Sequence, residues 1–207
     1  MDQKQLEYRS IILNSSRVMT PEITLPARYA PDIPFPPYAY VPGVQNHPTQ
    51  HPLGHSYNAE KPKVDAPNPQ NWRTNPFYLY GIDLFNYGYY WEAHEAWEEL
   101  WHACGHVGET ADFLKALIKL TAAGVKVREE RPEGVVIHAT NGKRLFGQLQ
   151  QSTQQKRYMG LRLGELIAFS GQLAENPLVD GRDIDYPRPV FAFSLEPAPF
   201  PLSAHRY

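Results

Sequence analysis

Residues 90–103 read YWEAHEAWEELWHA, a run without proline or glycine that holds three of the four tryptophans of the chain. This run predicts a helix that stops at Gly105. A second run, from about Glu109 to Glu130, repeats apolar residues at intervals of three and four, which is typical of one face of a helix. Its apolar face is wide, so we expect this helix to be the central and most buried one. The two runs together predict an all-α protein.

Further helices are predicted on both sides of these two. A short one covers Phe77 to Asn86, another begins with Pro132 in its first turn, and the last covers Tyr158 to Ala174. No alternation typical of a strand is longer than about four residues in this part of the chain. The pattern therefore predicts a small bundle of four to five helices over residues 77–176.

Proline divides the chain into three parts. Of the 20 prolines, 13 lie in residues 1–76 and six in residues 177–207. Proline removes a backbone donor and restricts φ, so neither flank is expected to be regular helix. We therefore predict an extended arm at 1–76, the bundle domain at 77–176 and an extended tail at 177–207. Residues 34–43, PFPPYAYVPG, predict that the arm packs on the bundle as a polyproline-like strap; the alternative is a flexible peptide that binds a partner.

Composition excludes several classes of protein. The formal charge of -2 and the pI near 6.4 argue against a nucleic-acid or anionic-membrane partner. The single Cys104 excludes an internal disulfide and a multi-cysteine zinc site. Neither a signal peptide nor a transmembrane run is recognised, so a soluble cytoplasmic protein is expected. Glycine-rich phosphate loops and a GxSxG nucleophile motif are also absent from the sequence.

The helix predicted at 90–103 carries the residues with chemical potential. At about 100° per residue, His94, Glu98 and Trp101 fall on one stripe, whereas Glu92 and Glu99 are predicted to face solvent. A histidine and a glutamate four residues apart can hydrogen-bond to each other or ligate one divalent metal ion. The second histidine of an HExxH zinc motif is missing, because position 98 is a glutamate. The two ExxH helices of a di-iron bundle are missing as well.

Two interpretations of this stripe stay open. In the first, the protein is a binding or structural module in which His94 and Glu98 form a buried pair, helped by tryptophan N–H donors. Its remaining aromatic surface would then support a homo-oligomer or a protein partner. In the second, it is a metal-dependent or acid–base enzyme with an unknown substrate, and His94 and Glu98 are its catalytic residues, as metal ligands or as a base and its orienting group.

Other histidines widen the set of candidates for a divalent metal cofactor. His47, His51 and His55 lie within nine residues of the arm and would share one metal if the prolines fold that loop. The alternative is that the His-Pro pairs form turns and that these imidazoles cap backbone carbonyls. His138, near the inner face of the helix that begins at Pro132, is either a partner of His94 or an ordinary core histidine.

Residues 88–101, GYYWEAHEAWEELW, resemble the signature of a prokaryotic helical family called domain of unknown function 309, in which aromatic residues precede E-A-H-E-x-x-E-x-x-W. Residues 113–123, FLKALIKLTAA, are similar to the second block of that family, L-x-G-L-I-Q-x-A-A. Lys119 stands in place of the glutamine and Ala116 in place of the glycine.

This resemblance covers about residues 77–150. It implies a small all-α bundle, and it implies no activity. The signature residues that it places in this sequence are His94, Glu95, Glu98 and Trp101.

Overall fold

Five α-helices form the bundle in the part of the chain that the structure describes. The computed structural model describes residues 25–179 and 187–199. The helices are α1 (Pro76–Asn86), α2 (Tyr90–Ala103), α3 (Glu109–Arg128), α4 (Pro132–Thr153) and α5 (Leu163–Glu175). A short 3-10 helix, Trp72–Thr74, precedes α1, and an antiparallel hairpin of β1 (Arg157–Tyr158) and β2 (Leu161–Arg162) separates α4 from α5. The predicted all-α bundle is therefore confirmed.

The centre of the bundle is α3, which packs against α2 on one side and α4 on the other. Its residues Phe113, Leu117 and Leu120 are fully buried. They repeat at intervals of four and three, the spacing that predicted this helix to be the most buried one. Each helix of the bundle packs against the helix that follows it in the chain.

The crossing of α1 and α2 depends on a glycine. A Cβ atom on Gly81 would lie 2.2 Å from Nε1 of Trp97, so no other residue fits there without movement. Trp97 is fully buried, and its indole N–H donates a 3.3 Å hydrogen bond to the carbonyl oxygen of Tyr78. Because Trp97 lies at the middle of α2, this contact determines which side of α2 faces the core.

The start of α5 differs from the prediction. We expected a helix from Tyr158, but Tyr158 pairs with Leu161 in the β-hairpin and α5 begins at Leu163. The two residues between them, Met159 and Gly160, have φ values of 43° and 84°. Two successive positive φ angles are the mark of a tight type I′ hairpin turn, which a helix cannot continue through.

The described part of the arm packs on the bundle. Asp83 of α1 is buried, and its carboxylate accepts hydrogen bonds from the backbone N–H groups of Tyr29 (2.7 Å) and Ala30 (2.9 Å) and from Nε of Arg28 (3.3 Å). The ring of Phe35 stacks on Tyr89 with the centroids 4.8 Å apart. Residues 1–24, the first part of the expected strap, lie outside the described residues.

The described part of the tail is held by a paired hydrogen bond. The side chain of Asn86 donates to the carbonyl oxygen of Leu195 and accepts from its backbone N–H, at 3.0 and 2.7 Å. Phe191 of the tail is buried against Phe85.

The division of the chain into three separate domains stays a prediction. In the part of the chain that the structure describes, none of the helices has both the length and the apolar character needed to cross a membrane.

Substitution of Asp83 by alanine is expected to release the arm. It leaves the buried N–H of Ala30, the part-buried N–H of Tyr29 and Nε of Arg28 without their acceptor, which we expect to lower the free energy of unfolding by about 3 kcal/mol. Urea denaturation measures this change, and limited proteolysis reports cleavage in residues 25–75. Asp112→Ala, at an exposed position of α3, is the control. An unchanged midpoint in the Asp83 variant would contradict the assigned role.

Candidate functional site

Three sides of α2 meet three different environments. Trp97 and Leu100 point into the core and are fully buried. His94 and Glu98 lie at the edge of the bundle, with 26% and 36% of their side-chain surface exposed. Glu92 lies beneath the arm. The helical repeat of about 3.6 residues separates these positions around the axis.

The edge of α2 carries a cluster of possible metal ligands. One ligand atom each from His94, Glu95 and Glu98 lies within 4.8 Å of the other two. The helix brings them together through Glu98, which lies four residues after His94 and three after Glu95, the two spacings that make side chains neighbours on a helix surface. An imidazole nitrogen and two carboxylates form a donor set that suits Zn²⁺, Mn²⁺ or Fe²⁺. Among residues 25–179 and 187–199, no other three His, Cys, Asp or Glu side chains converge in this way.

The structure differs from the expected buried stripe of His94, Glu98 and Trp101. Nε2 of His94 is 3.9 Å from Oε1 of Glu98, too far for a hydrogen bond, and both side chains are partly exposed. The indole nitrogen of Trp101 is buried and bonds to no described residue, so it does not hold Glu98. Trp101 stacks instead on His106, with the ring centroids 4.0 Å apart. The interior position that we expected for this stripe is taken by Trp97.

Electrostatics favour the neutral form of His94. Burial lowers the pKa of His94, the carboxylate of Glu98 opposes this shift, and the Lys119 ammonium adds to it. Burial also raises the pKa of Glu95, and the negative charge of Glu98 raises it further. A neutral imidazole has a free nitrogen lone pair, which is the form that binds a metal ion.

His138 of α4 lies close enough to His94 for their charges to interact. Burial lowers the pKa of His138, and the charges of Lys119, Lys126 and His94 lower it further. Its Nδ1 atom is buried and bonds to no described residue. His138 is therefore not the satisfied core histidine of one interpretation. It borders the cluster of His94, Glu95 and Glu98 without contributing one of the three convergent atoms.

The arm histidines do not gather around one point. Nδ1 of His47 accepts from the backbone N–H groups of Thr49 and Gln50, both at 3.4 Å, and Nδ1 of His51 accepts from Leu53 at 3.1 Å. The alternative interpretation was right that these rings bond to the backbone of their own loop, but wrong about the partners, which are N–H groups and not carbonyls. His55 alone reaches α2 with a polar contact, where its Nε2 atom lies 3.3 Å from Oε1 of Glu92.

Sequence reasoning placed Glu92 in solvent, and this was wrong. Its side chain is only 7% exposed, and Oε1 accepts a 2.9 Å hydrogen bond from the backbone N–H of Tyr40. A helical wheel cannot show that another segment covers a polar face. The available signal was the aromatic arm, because a strap rich in tyrosine and proline must bury some face of the bundle.

Comparison with known proteins gives a family match for one part of the chain. Residues 78–138 match the family model described as Domain of unknown function (DUF309), which confirms the resemblance over that segment. The matched segment contains all three convergent ligands and ends at His138. No curated protein and no solved structure matches the chain.

The titration of His94 tests the geometry of the cluster. Replacing Glu98 with glutamine removes the charge that opposes the downward shift, so the pKa of His94 should fall further. Imidazole NMR titration measures this pKa, and Glu99→Gln is the control. The pKa of His94 is lower in the folded protein than in the unfolded chain, where it is about 6.5. Below about pH 6.5 the unfolded chain therefore binds a proton at His94 more readily, and the free energy of unfolding should decrease as the pH falls. An unchanged or higher pKa in Glu98→Gln would contradict the arrangement.

Proposed function

We propose that this chain, through the DUF309 segment it contains, binds a divalent first-row metal ion such as Zn²⁺ or Mn²⁺ with His94, Glu95 and Glu98. The observation that carries the proposal is the convergence of one ligand atom from each residue to within 4.8 Å. This assigns to the protein the metal-dependent alternative rather than the buried structural pair.

The distances suit a small adjustment on binding. Ligand atoms at about 2.0–2.2 Å from a common ion are at most about 4.4 Å apart. The cluster is slightly wider than this, and the glutamate side chains are the flexible members. Glu98 is 36% exposed, so its side chain has room to change rotamer and shorten these distances without movement of the backbone. The same exposure provides an entry path for the ion.

The charges also favour a dication. With His94 neutral, the two carboxylates carry a charge that one divalent ion balances. Without an ion, the charge of Glu98 raises the pKa of Glu95, which is repulsion that a bound cation relieves. Metal binding should therefore displace a proton from Glu95 and strengthen as the pH rises through the pKa of that residue.

Three protein ligands leave at least one coordination position open. Structural zinc sites are usually closed by four protein ligands, whereas catalytic sites keep a position for water or substrate. A metal bound here would supply Lewis acidity and lower the pKa of a bound water. Near His94, the ammonium of Lys119 and the ring of His138, whose Nδ1 atom has no partner among the described residues, are close enough for their charges to interact with it.

Metal titration of the untagged full chain tests the proposal. After treatment with EDTA and gel filtration, the protein is titrated with ZnCl₂ or MnCl₂ in a calorimeter, and retained metal is measured by elemental analysis. We expect about one equivalent in the wild type. His94→Gln and Glu98→Gln should weaken binding by at least about 10-fold, since even the loss of an outer-shell group costs that much.

Glu99→Gln is the matched control, because Glu99 lies on the same helix and pairs with Lys61 rather than joining the cluster. It should bind metal like the wild type. If no stoichiometric metal binds, or if the three variants lose metal equally, the proposal is wrong. Melting curves of the metal-free variants show whether any loss comes from unfolding.

A further inference from the structure

We propose that a cavity between the arm and α2 binds a small organic cation, an ammonium group joined to an apolar body. The cavity has a volume of about 270 Å³, and its walls come from residues 36–62 of the arm, from α1 and from α2. It shares Glu95 with the metal-binding cluster, but the argument for it uses other residues and does not rest on metal binding.

A buried carboxylate with a free oxygen is the first support. Glu92 lines the cavity and is 7% exposed. Its Oε1 atom accepts a hydrogen bond from the N–H of Tyr40 and contacts Nε2 of His55. Its Oε2 atom is buried and bonds to no described residue. A buried carboxylate oxygen without a donor costs free energy. A ligand that brings an N–H donor removes that cost.

The charge of the cavity walls determines whether a cationic or an anionic ligand is favoured. The walls contain four carboxylates and one lysine. The carboxylates belong to Glu60, Glu92, Glu95 and Glu99. The lysine is Lys61, and its ammonium is already paired with Glu99. The excess negative charge attracts a cation and disfavours an anionic ligand.

The apolar part of the walls favours an organic cation over a metal ion. Tyr80, Leu84 and Trp91 line the cavity together with prolines of the arm. An aromatic face attracts an ammonium group, and apolar walls bury a hydrocarbon body. Of the four carboxylates, only Glu95 belongs to a convergent group of three metal ligands among the described residues. The walls therefore suit one ammonium contact surrounded by apolar surface.

The volume limits the size of the ligand. A cavity of 270 Å³ equals the liquid volume of about nine waters, so it holds a ligand of roughly that many non-hydrogen atoms. Benzylamine has this size and is protonated at pH 7. Benzyl alcohol has nearly the same shape without the charge.

The experiment compares these two probes on the full chain in a buffer with EDTA. NMR shift titration should give a dissociation constant on the order of 1 mM for benzylamine, and binding at least about 10-fold weaker for benzyl alcohol. Glu92→Gln should abolish this preference. Glutamine keeps a carbonyl oxygen to accept from Tyr40, so the arm stays in place. Equal affinity of the wild type for the two probes would overturn the proposal.

A second variant tests the cavity without touching Glu92. Ala96 lines the cavity, so Ala96→Phe fills it and should weaken benzylamine binding by at least about 10-fold. Ala103→Phe, at an exposed position of the same helix, is the matched control and should bind normally. Thermal melting confirms that each variant is folded. Unchanged binding in a folded Ala96→Phe protein would overturn the proposal.

His94→Gln distinguishes this proposal from the metal site. The variant should lose metal and keep benzylamine binding. If it loses benzylamine as well, the amine binds at the metal cluster and the cavity proposal is wrong, whatever the outcome of the metal titration.

Discussion

Trp97 packs into the space that the missing side chain of Gly81 leaves, and this contact determines how α2 lies on α1. Once Trp97 faces the core, the helical repeat fixes the direction of every other residue of α2. His94 and Glu98 come to the edge of the bundle, and Glu92 turns toward the arm. Both proposed sites therefore depend on a tryptophan–glycine contact that belongs to neither of them.

Two buried carboxylates tie the arm to the bundle. Asp83 of α1 holds the backbone at Tyr29 and Ala30, and Glu92 of α2 holds it at Tyr40. Both carboxylates accept hydrogen bonds from backbone N–H groups of the arm. In an extended segment these N–H groups have no acceptor within a helix. The same contacts turn an acidic face of α2 into a wall of a cavity. Without the arm, Glu92 would be an exposed glutamate on a helix surface.

The two sites differ in where their residues come from. His94, Glu95 and Glu98 all lie in the segment that matches DUF309, so the cluster needs no residue from outside the match. The cavity also needs residues 36–62, which lie outside the match. Glu95 belongs to both sites. A cation in one site changes the field at the other, and the two ligands should therefore influence each other's affinity.

The amino-acid pattern by itself determined the all-α class, the limits of α1 and α2 to within a residue, and the closeness of His94 to Glu98. These features depend on contacts between residues a few positions apart, which helical periodicity describes. Only the tertiary structure decided that Glu92 is buried, that His94 lies at an edge, and that Met159 and Gly160 turn the chain before α5. A periodic pattern shows which residues share a face of a helix, but which face is covered depends on segments far away in the chain.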